Sequence, residues 1–311
     1  MSQISKPLPD WFDEIYQQPS EHTVDVAGCD IHYLAWGQRS QPGILFVHGR
    51  MSHARCWGFI APFLAQRYRC VAIDLSGMGV SGHRERYTYA NRVQELNAVA
   101  EASGLFENKS GPFLVTHSYG AVVGVKAMLE AACPFAGLVA CDPSITHPEQ
   151  WDEQTPRVDG PNLQRPHRTF ATLAEGVARF KLAPEQISFE PSLEEYIAVH
   201  SLREVAGGWQ WKFDPYVYSD KEEGHNDWWI DHTREFVAVE APKAIIYGGK
   251  SAFVDARTAA GVATATQQYV PTVEIPFAHH HLMVDQPVAL VTAIEAMMRE
   301  LSQCSAEEAG A

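Results

Sequence analysis

A short apolar run, Pro112 to Val115, ends in Thr116-His117-Ser118-Tyr119-Gly120, and a helix-like segment rich in Ala, Val and Leu follows at once from Ala121 to Leu129. No other stretch constrains the fold as tightly. Strand, sharp turn and helix in so few residues bring a strand end and a helix start nearly into contact. Small residues are therefore needed two positions before and two after the apex. Gly120 meets that need, while Thr116 stands where a glycine is more usual. The apical serine is lifted above the carboxyl edge of a parallel sheet, the geometry of a nucleophile elbow. A lone S-x-G occurs often by chance, so the weight falls on what the neighbouring strand ends carry.

The rest of the chain supplies such strands. His22 to Val26 and Ile31 to Trp36 alternate around Gly28-Cys29-Asp30 as a hairpin would. Gly43 to Val47, Cys70 to Ile73, Phe135 to Cys141, Lys243 to Tyr247 and Thr272 to Ile275 are apolar runs of the kind buried on both faces of a parallel sheet. Helical patterns fall between or after them, at His53 to Ala65, Ala90 to Ser103 and Ala289 to Leu301. That alternation predicts an α/β fold with a mostly parallel central sheet flanked by helices. With 311 residues, 46% of them hydrophobic, the chain suffices for one large domain with an insertion.

The rhythm breaks between Ser144 and Ala238, where Pro, Gln and Trp are frequent and helical pieces (Leu173 to Phe180, Leu193 to His200) occur without strands. The expected organisation is a core of residues 1–143 and 239–311 with a helical cap, 144–238, inserted after the sixth strand. Residues 1–20 form a polar leader whose Trp11, Phe12 and Tyr16 are placed to pack on the core, and the Ala/Glu-rich end is expected to fray.

The formal net charge is -14, and no Lys/Arg-rich block appears. Nucleic acid and anionic membranes are thus poor partners, and a small-molecule substrate is expected, with the chain a monomer or homodimer. The six cysteines form no C-x-x-C pair and several lie in apolar runs, pointing to reduced thiols and a cytoplasmic setting. No run approaches the roughly 18 apolar residues of a membrane span.

Three further strand ends carry reactive residue types. His48-Gly49 follows the third strand, and the glycine lets the Arg50 amide turn towards Ser118. With the Tyr119 amide it would make a two-donor oxyanion hole. Ala278-His279-His280-His281 follows the last strand and offers a general base. Consecutive side chains point apart and no zinc-type spacing accompanies them, so no metal is expected. After Lys243 to Tyr247, the fourth loop position, commonly Asp in such enzymes, is Ser251. Asp142, at the tip of the preceding strand, is the candidate acid instead, while Asp255 is better suited to open the next helix.

Together His48-Gly49, Asp74-x-x-Gly77-x-Gly79-x-Ser81, the elbow and His280-x-x-x-x-Asp285-x-Pro287 resemble the α/β-hydrolase superfamily over nearly the whole chain. The resemblance is to serine-nucleophile members with a helical cap, in an architecture like that of haloalkane dehalogenases, epoxide hydrolases and meta-cleavage hydrolases. The superfamily's histidine lies seven residues before the proline, which selects His280. An acid at Asp142 rather than on the later loop is similar to some haloalkane dehalogenases, but those enzymes and epoxide hydrolases attack with Asp, and this chain has Ser118. The resemblance therefore implies a cofactor-free serine hydrolase of a carboxylic ester or thioester, with Ser118, His280 and Asp142 as triad and the amides of Arg50 and Tyr119 as oxyanion hole. A carbon–carbon bond hydrolase, a lactonase and an acyltransferase stay open, as does a ligand-binding protein lacking turnover. Met51, His117, Trp209, Trp211 and Phe213 are candidate pocket residues for an acyl or aromatic group, with Trp228 and Trp229 nearby in sequence.

Overall fold

The structure, a computed structural model, describes residues 4–150, 166–217 and 228–310, without the side chains of 228–231 and 305–310. His225 lies outside the described residues, and so do the side chains of Trp228 and Trp229.

Eight strands form one sheet: β1 (Ser20–Val26), β2 (Cys29–Trp36), β3 (Gly43–Val47), β4 (Arg69–Ile73), β5 (Phe113–His117), β6 (Gly137–Cys141), β9 (Lys243–Gly248) and β10 (Thr272–Ile275). Their spatial order is β1-β2-β4-β3-β5-β6-β9-β10. β1, β2 and β4 pair antiparallel, and every pairing from β4 to β10 is parallel. The central strands are apolar throughout because both faces are covered. Alternate residues point to opposite faces of a strand, and two separate cores result. Leu45, Val47, Leu114, Leu138 and Ile245 pack on one side with Leu96, Val123 and Val262. Ile44, Phe46, Val115, Val139 and Ile246 pack on the other with Leu64, Ile294 and Met298.

The covering helices are α1 (Asp10–Ile15), α2 (Ala61–Leu64), α3 (Tyr89–Ala102), α4 (Tyr119–Met128), α8 (Ala256–Thr266), α9 (Leu282–Asp285) and α10 (Pro287–Gly310). The leader docks as expected: Phe12 is fully buried, its ring stacked 5.2 Å from that of Tyr16 and edge-on 5.8 Å from that of Tyr196. Asp255 caps α8, its carboxylate accepting from the Thr258 amide at 2.7 Å.

Two element expectations change. The helix read over His53 to Ala65 is two short pieces, a 3-10 turn at Ala54–Trp57 and α2. Pro62 cannot donate a backbone bond to a preceding turn, so a helix restarts there rather than continuing. At the other end, the residues expected to fray continue α10 to Gly310, since Ala and Glu are strong helix formers.

The insertion leaves the sheet after β6 and returns at β9. It is not wholly helical: α5 (Leu173–Val177), α6 (Pro191–His200) and α7 (Trp228–Ala238) share it with a hairpin of β7 (Leu202–Val205) and β8 (Gly208–Trp211). Gly207 and Gly208 both take positive φ, 87° and 144°, and so close the turn without the penalty a side chain would add. Alternating Trp209 and Trp211 then suit a half-buried strand. Asp214 fixes the insertion to the core: its carboxylate accepts from Tyr87 Oη at 2.6 Å, and its amide donates to Gly77 O at 2.7 Å.

Candidate functional site

Ser118 joins β5 to α4 with φ 51° and ψ −120°, a conformation that costs a non-glycine residue about 1–3 kcal/mol. The surroundings hold it there. Its amide donates to Cys141 O on β6 at 3.1 Å. A Cβ at Gly120 would lie 2.6 Å from Val47 O and 2.7 Å from His48 O, so the elbow and the end of β3 approach as closely as the sequence required. The Ser118 residue is half-buried, whereas its neighbours on both sides are buried.

The β3 loop is pinned by His48. Its Nδ1 donates to Gly49 O at 2.7 Å, and its Nε2 accepts from the Leu75 amide at 3.2 Å. Those two bonds fix one neutral tautomer, and burial keeps the ring below its ordinary pKa. A trans peptide points its carbonyl and the next N–H to opposite sides. Holding Gly49 O therefore also holds the amide of Arg50. A Cβ at Gly49 would stand 3.2 Å from Ser118 Cβ, so this peptide lies against the elbow. Met51, with φ 51°, turns the chain away and packs partly buried on the core. The Tyr119 amide is in the first turn of α4, where N–H groups lack intrahelical partners.

Asp142 leaves β6 with φ 46°, its amide donating to Ile246 O at 2.6 Å. His280 Nδ1 lies 2.7 Å from Asp142 Oδ2, and both side chains are almost completely buried. Ser251 Oγ donates to the same Oδ2 at 2.7 Å. Burial pushes the Asp142 carboxyl up, with the Ser251 hydroxyl opposing it, and burial keeps the His280 imidazole neutral, well below its usual range. The structure thus brings Asp142 and His280 together and leaves Asp255 at its helix cap.

The three histidines of the run take different partners. His279 Nδ1 and amide both bond Asp285 Oδ2 at 2.8 Å. His281 is half-buried, and its amide donates to Gln186 Oε1 at 2.9 Å. Among the described residues, no group of three or more His, Cys, Asp or Glu could hold a metal ion. His117, read as a pocket wall, is instead nearly inaccessible: its Nε2 donates to His280 O at 2.9 Å and its ring lies 4.7 Å from that of His280. Trp211 packs on Phe170 and Phe180 at ring distances of 5.4 and 6.2 Å, and Trp209 exchanges backbone bonds with Phe170, contacts internal to the insertion. Phe213 is partly buried against the core, and its carbonyl accepts from His167 Nε2 at 2.6 Å.

The Asp74-x-x-Gly77-x-Gly79-x-Ser81 motif proves to be scaffold. Asp74 accepts from the amides of Ala54 and Val80 at 2.6 and 2.9 Å and from His32 Nδ1 at 2.8 Å. A Cβ on Gly79, at φ 58°, would fall 2.1 Å from its carboxyl carbon.

A family model described as "Alpha/beta hydrolase family" matches residues 44–293. The chain belongs to the alpha/beta hydrolase family. Among curated relatives, "Epoxide hydrolase 4" of Mus musculus is 24% identical over 295 residues, covering 88% of this chain and 77% of that protein. A "Haloalkane dehalogenase" of Sphingobium indicum is 40% identical over 106 residues, 32% of this chain and 34% of its own. Of the solved structures, "E-2-(Acetamidomethylene)succinate Hydrolase" superposes with a TM-score of 0.74 at 20% identity, covering 91% of this chain and 100% of that one. The "Thioesterase Domain From Curacin Biosynthetic Pathway" does so with 0.71 at 22% identity, covering 89% and 99%. As an alpha/beta hydrolase, this chain departs from expectation chiefly at Ser251, which sequence reading treated as a missing acid. Gln186 was missed as well; a single Gln in a polar stretch carries no signal for its contact with the histidine loop.

Proposed function

We propose that the protein is a cofactor-free serine hydrolase that cleaves a carboxylic ester or thioester of a small apolar acyl or aromatic compound through an acyl-enzyme on Ser118. The observation that carries the reading is the buried Asp142–His280 bond of 2.7 Å beside a strained serine elbow. Asp142 accepts from Nδ1–H, which leaves Nε2 free of a proton and able to take that of Ser118. Ser118 attacks the acyl carbon, and the amides of Arg50 and Tyr119 stabilise the oxyanion. His280 returns the proton to the leaving group, then activates the water that releases the acid. Residues 144–238 serve as a cap on a core of 1–143 and 239–311 and select the acyl group.

Relatives named epoxide hydrolase and haloalkane dehalogenase share the fold, but an alkyl ester to an Asp nucleophile has no counterpart where Ser118 stands. The neighbour named as a thioesterase is consistent with acyl transfer to a serine. A ligand-binding role rested on the lack of an acid at Ser251, and the Asp142–His280 bond weighs against it.

The test is hydrolysis of a 4-nitrophenyl ester series, from acetate to octanoate, by wild type and Ser118→Ala. Release of nitrophenolate by wild type, with a pre-steady-state burst and a drop of about a thousandfold or more in the variant, is expected. Equal turnover by the two proteins contradicts the mechanism.

A further inference from the structure

We propose that Ser251 is a positioning residue of this reaction, its hydroxyl locked by the loop after β9 as a donor that keeps Asp142 ionised and aimed at His280. The inference rests on the reading of Asp142 and His280 as acid and base.

The direction of the bond is forced. Ser251 Oγ receives the amides of Phe253 and Val254 at 3.0 and 3.2 Å. A hydroxyl has two lone pairs and one proton, and amides can only donate. With both lone pairs engaged, the proton is left for Asp142 Oδ2 at 2.7 Å. The Ser251 amide donates in turn to Gly248 O at 2.9 Å, which ties this turn to the end of β9. Asp142 Oδ2 therefore sits between two donors, Ser251 Oγ and His280 Nδ1, both at 2.7 Å. Two fixed donors on one oxygen set the carboxylate's rotation, and the Ser251 bond opposes the upward push of burial on it. The position usually filled by an acid has thus become the support of an acid on the neighbouring strand.

Other titratable groups face this pair. His117 approaches from the end of β5 and His281 from the same loop as His280, with rings 4.7 and 5.0 Å from that of His280. Burial holds both imidazoles neutral, and it pushes the adjacent Cys141 thiol up so that it too is uncharged. Phe253 covers the His280 ring at 4.5 Å. Lys250 is exposed, its ammonium 5.5 Å from the Phe277 ring centre. A hydrogen bond to the charged form of a carboxylate favours that form, and the Ser251 bond fills this part.

The readout is the rate constant for fluorophosphonate labelling of Ser118 between about pH 5 and about pH 9, where the acidic limb reports protonation of the Asp142–His280 pair. Without the Ser251 proton the pair retains its own proton to higher pH. Ser251→Ala is expected to move the acidic limb up by about one pH unit, a tenfold slower reaction on the limb. Ser251→Thr, which keeps the hydroxyl, is expected to retain the wild-type limb. If the alanine variant fails to fold, Ser251→Cys takes its place, since a thiol donates weakly. An unmoved limb in the alanine or cysteine variant, or the same shift in the threonine variant, overturns the inference. Asp142→Asn measured in parallel separates the two levels. Wild-type labelling by Asp142→Asn overturns the acid assignment and this inference with it. Slow labelling there, together with an unmoved limb in Ser251→Ala, overturns the role of Ser251 alone.

Discussion

Replacing Gly120 by Ala tests whether the elbow and the β3 loop work as one unit. The added Cβ would lie 2.6 Å from Val47 O and 2.7 Å from His48 O, both backbone atoms. Ordinary contact begins near 3.4 Å, so α4 and the end of β3 must separate by about 0.8 Å. Overpacking of this kind costs about 1–3 kcal/mol. At about 2–4 °C per kcal/mol, a value for somewhat smaller chains, the melting temperature falls by about 2–12 °C. The larger effect is on chemistry. The displaced segment carries the Gly49–Arg50 peptide, and misplacing a reacting group by about 1 Å can cost about a hundredfold. Labelling of Ser118 by a fluorophosphonate should therefore slow by about ten- to a hundredfold while the protein remains folded. Gly28→Ala is the control: that residue also has a positive φ, 76°, but nothing lies within 4 Å of its added Cβ. It should lose about 1 kcal/mol of stability or somewhat more and keep its labelling rate. A Gly120→Ala protein with wild-type melting and labelling would refute the close-approach reasoning.

Asp142→Asn should lower ester turnover by about a thousand- to ten-thousandfold with little change in KM, because an amide can hold the wrong tautomer of His280; steady-state kinetics checks this. His32 and Asp74 predict a pH-dependent stability. Burial alone would lower His32, but its bonds to Asp74 and Glu21 outweigh that and raise it. Stabilisation from a raised histidine is complete below its unfolded pKa and disappears as pH rises through the folded one. The melting-temperature gap between wild type and His32→Gln should accordingly be wider at about pH 6 than at about pH 9. Asp74 completes the window from the other side. Burial would raise its carboxyl, but the His32 hydrogen bond and charge hold it well below the carboxylate range, so its contribution is lost only in strong acid.

Strand placement was the most legible part of the fold, because strands buried on both faces write continuous apolar runs. Gly43–Val47 and Thr272–Ile275 coincide with the segments read from sequence. Legibility failed where local rules compete. Over His53 to Ala65 the helical pattern was real, but Pro62 divided it. In the insertion no strand was read, and only the Gly207-Gly208 turn and pairing with Leu202–Val205 place Trp209 and Trp211 in one. At the site, the elbow, His48-Gly49 and the histidine loop were readable because the backbone geometry demands glycines and a fixed spacing. Asp142 could be named by its place after β6, yet its geometry could not, since a partner 138 residues away in sequence leaves no local pattern. Ser251 was read by what it lacks rather than by what it donates. His117 was misplaced as a pocket wall because its burial depends on the His280 carbonyl packing over it.

The central claim is that Ser118 is an activated nucleophile. Intact-mass analysis of wild type and Ser118→Ala after exposure to a fluorophosphonate tests it most directly. A single adduct on wild type alone, mapped to the peptide holding Thr116 to Gly120, is the predicted result. Folded wild type that stays unlabelled, both with this probe and with a smaller sulfonyl fluoride, would contradict it.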